Sequence, residues 1–119
     1  MQDAILILNL DKNDFVVKLQ TRLIEAGYNV IFTNKVEIRD ITNYSVKLII
    51  VDLEEEEIFG NLMKIRETNK ALKIIIITSS NSIDKRIKAE ELGCNAYFEE
   101  KQGYDYITKA IKKLLSSKV

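Results

Sequence analysis

The chain is 119 residues long, 46% hydrophobic and 30% charged, with 18 basic side chains against 18 acidic ones, no histidine, no proline and one cysteine. This composition suits a single globular domain over residues 1–119 with a core of its own, and it excludes a disordered or fibrous chain. Without histidine there is no Ser/His/Asp or Cys/His catalytic unit, no imidazole metal ligand and no phosphohistidine, and the zero net charge argues against general nucleic-acid binding.

Short β-type runs alternate with amphipathic stretches. Ala4–Leu8 is a continuous aliphatic run, the pattern of a strand buried on both faces. Phe15, Leu19, Leu23 and Ala26 then recur at helical spacing and predict a helix ending on Gly27 before a second strand, Asn29–Thr33. The stretch from Asn34 to Asn43 reads as a short helix, with Asn34 as its cap and Glu37 in capping-box position. Val46–Val51 is the third strand, and Ile58, Leu62 and Ile65 mark one face of the helix after it. Leu72–Ile77 is the fourth strand. Ile83 and Ile87 begin the apolar face of a further helix, which ends on Gly93 before the fifth strand, Ala96–Phe98. Ile107, Ala110, Ile111 and Leu114, at i, i+3, i+4 and i+7, predict the last helix.

The segments Glu25–Val30 and Glu91–Ala96 use the same helix-to-strand hinge, with glycine where the chain past the last turn often takes a positive φ. No apolar run is long enough to cross a bilayer. The Met-Gln-Asp start carries no basic stretch or cleavage site, and a lone Cys94 forms no internal disulfide. A cytoplasmic location without membrane contact is the expectation.

Summed, the elements predict an α/β fold of the (βα)5 type: a doubly wound parallel five-stranded sheet in flavodoxin-like order 2-1-3-4-5. Reactive groups then belong at the carboxyl ends of the first and third strands, beside the switch point. Asn9, Leu10 and Asp11 follow the first strand and Asp52 the third. Thr78 and Ser79 follow the fourth, and Glu99, Glu100 and Lys101 the fifth. A single Asp ending a strand is most often a cap or a solvated side chain. An Asp, a hydroxyl and polar partners converging on one edge point instead to a site.

Across nearly its full length the chain resembles the receiver domain of two-component response regulators, the CheY-like superfamily. Asp52 stands where that family has its phospho-accepting aspartate, and Gly60, eight residues on, matches the glycine that follows it. Thr78 matches the switch hydroxyl, Gly93 the helix-ending glycine and Tyr97 the strand-five aromatic whose ring changes rotamer on activation. The resemblance implies a phosphorelay module in signal transduction, not an enzyme beyond accepting a phosphoryl group on Asp52. It also implies a Mg²⁺ ion, for which Asp11 and Asp52 are the available carboxylates. In such a site a metal and a lysine offset charge on the phosphoryl oxygens, and a hydroxyl bonds the product oxygen.

The departures fall on the accessory positions. The acidic pair expected after strand one aligns with Asn9 and Leu10; the lysine expected after strand five aligns with Glu100, and the proline after it with Lys101. A non-proline cis bond costs roughly 2.5–4 kcal/mol, so this loop is expected to be trans; Lys101 is the surrogate cation nearest in sequence. Each lost charge stabiliser typically removes about 2.7–4 kcal/mol of transition-state stabilisation. Asp52 and the run Glu54–Glu57 place five acids within six residues. They are either a solvated helix start or a mouth that repels an anionic donor. The active site is thus atypical, and a pseudo-receiver acting as a phosphorylation-independent interaction module is the alternative function.

Lys85, Arg86, Lys88, Lys109, Lys112 and Lys113 lie on the last two predicted helices, and residues 101–119 carry a net charge of +4. In receivers the face of helix four, strand five and helix five docks partners. The resemblance thus implies a protein partner there, a histidine kinase or an output protein, and no nucleic acid. A nucleotide-binding flavodoxin-like protein ranks third, because the chain has no GxGxxG or GxxxxGK[ST] loop and only four glycines.

Overall fold

The computed structural model describes residues 4–8, 13–33, 41 and 45–116. Its strands are β1 (Ala4–Leu8), β2 (Asn29–Thr33), β3 (Val46–Val51), β4 (Lys73–Thr78) and β5 (Ala96–Glu99). The described helices are α1 (Asp14–Glu25), α2 (Glu56–Thr68), α3 (Ile83–Leu92) and α4 (Tyr104–Ser116), with a 3-10 turn at Glu100–Gln102. All strand pairs are parallel and the order is β2-β1-β3-β4-β5, the doubly wound arrangement expected from the sequence.

The aliphatic runs of β1, β3 and β4 occupy the three central places, where both faces must be covered. Alternation sends Leu6, Ile49, Val51, Ile74 and Ile76 to one face, packed with Leu62 and Ile65 of α2 and Ala89 and Leu92 of α3. Ile5, Ile7, Leu48, Ile50, Ile75 and Ile77 face the other way, toward Leu19 and Leu23 of α1 and Ile107 and Ile111 of α4. Edge strand β2 is only part-buried. No described helix is long and apolar enough to cross a membrane.

The structure moves several expected boundaries. β4 runs one residue later than Leu72–Ile77, because the Leu72 amide donates to the Asn69 side chain (3.1 Å) while Thr78 pairs in register with Glu99. The same pairing extends β5 to Glu99. In α1 Val16 is buried, whereas Ala26 lies past the last turn as an exposed cap. Gly27 and Gly93 both have positive φ, +97° and +70°, as the repeated hinge requires.

The largest correction concerns α3. Ile83 and Ile87 are 78% and 51% exposed, so they are not its core face; the buried residues are Lys85, Ala89 and Leu92. The expected short helix Asn34–Asn43 lies outside the described residues except for buried Ile41. Asn9, Leu10 and Asp11 also lie outside them.

Candidate functional site

β1 lies between β2 and β3, so the order of the sheet reverses beside the carboxyl end of β3. Asp52 is the first residue past β3 and is 9% exposed. Thr78, the last residue of β4, is fully buried next to it, and its Oγ1 donates to Asp52 Oδ2 at 3.1 Å. The same hydroxyl accepts from the Ser80 amide at 3.1 Å and lies 3.0 Å from the Ser80 carbonyl, so the turn after β4 fixes its orientation.

The cation of this cluster comes from α3. Ser82 caps that helix, its hydroxyl accepting from the Lys85 amide at 3.1 Å, and this seats Lys85 in the first turn with its side chain directed inward. Lys85 is 7% exposed. Its Nζ lies 3.2 Å from Asp52 Oδ1 and 3.4 Å from Oδ2. It also donates to Thr78 Oγ1 (2.9 Å), the Ser80 carbonyl (2.9 Å), Ser80 Oγ (3.2 Å) and Glu54 Oε1. An ammonium has three protons, so these acceptors share them in a cage that leaves no donor idle.

Burial works against the charged form of Lys85, but the hydrogen bonds it donates to Glu54 and Asp52 and their negative charges prevail, and its pKa is raised. The hydrogen bond from Lys85 is in turn the main reason that Glu54 is held below the usual carboxylate value, against a smaller opposing effect of burial. Asp52 Oδ1 accepts no hydrogen bond although it is buried. Its close neighbour is the Lys85 ammonium.

Among the described residues no donor set fits the divalent ion that the resemblance implies. Mg²⁺ requires oxygen ligands at about 2.0–2.1 Å in octahedral array. No group of three or more Asp, Glu, Cys or His side chains converges among the described residues, and Lys85 already faces both Asp52 oxygens. Of the two carboxylates expected at the metal, Asp52 is in the site and Asp11 is not among the described residues.

A second cluster surrounds Tyr97 on β5. The Tyr97 hydroxyl donates to Asn81 Oδ1 at 2.7 Å, and Arg86 Nε donates to the same oxygen at 3.2 Å. The Arg86 guanidinium also lies over the Tyr97 ring, 5.1 Å from its centroid. Burial raises the Tyr97 pKa, with Arg86 and Lys85 opposing it. Thus Lys85 reaches Asp52 while the next residue, Arg86, reaches Tyr97.

Glu100 lies in the 3-10 turn after β5 and accepts weakly from Asn13 Nδ2 at 3.5 Å. Lys101 is exposed and faces Glu99 Oε1 at 3.6 Å, so the lysine beside Asp52 is Lys85 and not Lys101. All described peptide bonds are trans. Part of the acidic run is neutralised from α3: Glu54 by Lys85, and Glu56 by Lys88, which also meets Asp84 at 3.3 Å. Lys85 and Lys88 therefore point back toward α2 and the site. Arg86, Lys109, Lys112 and Lys113 remain exposed on α3 and α4. The sequence pattern puts Lys85 on the outer basic face, and it does not single out Ser82, three residues earlier, as the cap that turns Lys85 inward.

The chain matches no protein-family model, and no curated protein matches it. Among solved structures, a response regulator from Thermotoga maritima is 23% identical with a TM-score of 0.77, covering 98% of this chain and 100% of its own. The chemotaxis protein CheY4 of Vibrio cholerae is 16% identical with a TM-score of 0.75, covering 96% of this chain and 99% of its own. An orphan response regulator of H. pylori is 14% identical with a TM-score of 0.74, covering 95% and 96%. The chain therefore has the fold of CheY-like receiver domains over almost all its length.

Proposed function

We propose that this domain is an atypical receiver of two-component signalling, a cytoplasmic module with Asp52 as phosphoryl acceptor and Thr78 and Tyr97 as its switch. The observation that carries this reading is the buried Asp52–Thr78 pair, 3.1 Å apart at the switch point of the sheet. A carboxylate oxygen of Asp52 would attack the phosphorus of the donor. The bond from phosphorus to the donor's leaving atom breaks with its electron pair, and Asp52 retains the phosphoryl group as a mixed anhydride with no proton transferred. Thr78 then bonds a phosphoryl oxygen in place of Asp52 Oδ2, and the cation beside them balances the added charge. The partner is a histidine kinase or an output protein, met through α3, β5 and α4, where Arg86, Lys109 and Lys112 are exposed.

Incubation with a small acyl phosphate, followed by intact-mass measurement, tests the reading. Wild type is expected to gain one phosphoryl group and the Asp52→Asn variant none. No gain in a folded wild-type protein overturns it in favour of the second reading, a pseudo-receiver that binds partners without phosphorylation. One observation favours that second reading: both Asp52 oxygens already face Lys85, and Oδ1 is shielded from solvent.

A further inference from the structure

The cation beside Asp52 comes from α3 and not from the position after β5 to which the resemblance points. The position after β5 is Glu100, and the described residues gather no metal-binding cluster. We infer that Lys85 is the resident cation of the Asp52 site, seated against both oxygens of the carboxylate, so that the site is charge-compensated without metal. This deepens the reading of Asp52 as a phosphoryl acceptor and rests on it only for the use to which the charge is put.

Three features make this a built position rather than a surface lysine resting on a nearby acid. The ammonium is nearly symmetric in front of the carboxylate, at 3.2 and 3.4 Å from its two oxygens. Its socket consists of protein oxygens from three segments: Glu54 before α2, Thr78 at the end of β4 and Ser80 in the following turn. Its backbone is pinned by the Ser82 cap one residue before α3. Asp52 Oδ1, the oxygen with no hydrogen bond, is the natural first ligand for a metal, and Lys85 lies directly against it. A divalent ion at about 2.0–2.1 Å from that oxygen would be driven off by the ammonium at such short range in a buried setting. Lys85 is then a catalytic residue by contact, since it touches the reacting carboxylate and would face the incoming phosphoryl oxygens.

The test is a Mn²⁺ titration of the full chain, read as paramagnetic broadening of the Asp52 and Thr78 amide signals. Wild type is expected to show no saturable broadening there through the millimolar range. Lys85→Met and Lys85→Gln should each gain a site at least about tenfold tighter, as removal of a facing charge predicts. Adding Asp52→Asn should abolish that site, and Lys85→Arg should behave as wild type. Saturable Mn²⁺ binding by wild type, as tight as in the Met variant, overturns the inference with no variant needed. Failure of the folded Met and Gln variants to gain binding also overturns it, because the lysine is then not what fills the cation position. If Asp52 accepts no phosphoryl group at all, these titrations keep their meaning, so the two readings fail separately.

Discussion

Lys85 shows how a single side chain escapes local pattern reading. Flanked by Asp84 and Arg86 and set between Ile83 and Ile87, it looks like a solvated lysine on an amphipathic helix. Its burial comes from Asp52 and Glu54, which lie 33 and 31 positions earlier in the chain. Asp52, Thr78 and Tyr97 were legible because each sits at or near the end of a β-run, where topology alone brings them to one edge. The coupling of Lys85 and Glu54 sets a pH signature. Glu54, whose usual value is 4.5, has its pKa lowered chiefly by the hydrogen bond from Lys85, so it contributes stability above 4.5 that is lost as pH falls through the lowered folded value. Lys85, raised above its usual 10.5 despite burial, contributes fully below 10.5, and that contribution is lost as pH rises past the folded value. The urea midpoint of wild type should thus hold level between these limits and fall at both ends. In Lys85→Met both slopes should flatten. Superimposable pH profiles for the two proteins would contradict the pairing.

At the scale of elements, the central strands were legible because unbroken aliphatic runs have no other economical home than a sheet covered on both faces. The turn of α3 about its axis was not. Its two isoleucines suggested a core face, yet Ala89 and Leu92 fill that role with Lys85. The end of α3 is fastened by another residue that no local motif announces. Arg66, near the end of α2, donates to the carbonyls of Leu92 (3.3 Å) and Gly93 (3.2 Å) and to Asn95 Oδ1 (3.3 Å). It also donates to the Leu72 carbonyl, and to the Lys70 carbonyl, the latter at 3.3 Å. Burial lowers its pKa, with a small opposing effect from Cys94. The planar fork satisfies carbonyls left open at the C-terminus of α3, where positive charge is favoured, and ties them to the entry of β4. Arg66→Ala should cost about 1.5–3 kcal/mol in urea unfolding, the range for bonds to a charged group. Arg66→Lys should recover less than half, since a point ammonium cannot reach both ends. In both variants amide exchange should accelerate in the last turn of α3. Full rescue by lysine would mean that charge alone matters there.

Over the whole molecule, the order β2-β1-β3-β4-β5 places the end of β3 beside that of β4, and the turn after β4 leads directly into α3. One helical turn therefore meets both ends of the candidate switch, Lys85 holding Asp52 and Arg86 holding Asn81 and Tyr97. A change of charge at Asp52 is therefore expected to act on Lys85 and, through the first turn of α3, on the contacts of Tyr97. Stability measurements can detect this coupling without any phosphodonor. Asp52→Asn leaves Lys85 with Glu54 as its remaining carboxylate, and Lys85→Met leaves a buried Asp52 with Thr78 alone. Each single change should cost about 1–3 kcal/mol, because a buried charge loses its partner. The double variant removes both charges together and should lose less than the sum, with a coupling of at least about 1 kcal/mol. The ring signals of Tyr97 should shift in Asp52→Asn and shift again in the double variant, although Tyr97 itself is unchanged. Strictly additive costs with unmoved Tyr97 signals would show that Asp52 and the β5 surface are independent, and α3 would then be packing and not a connection.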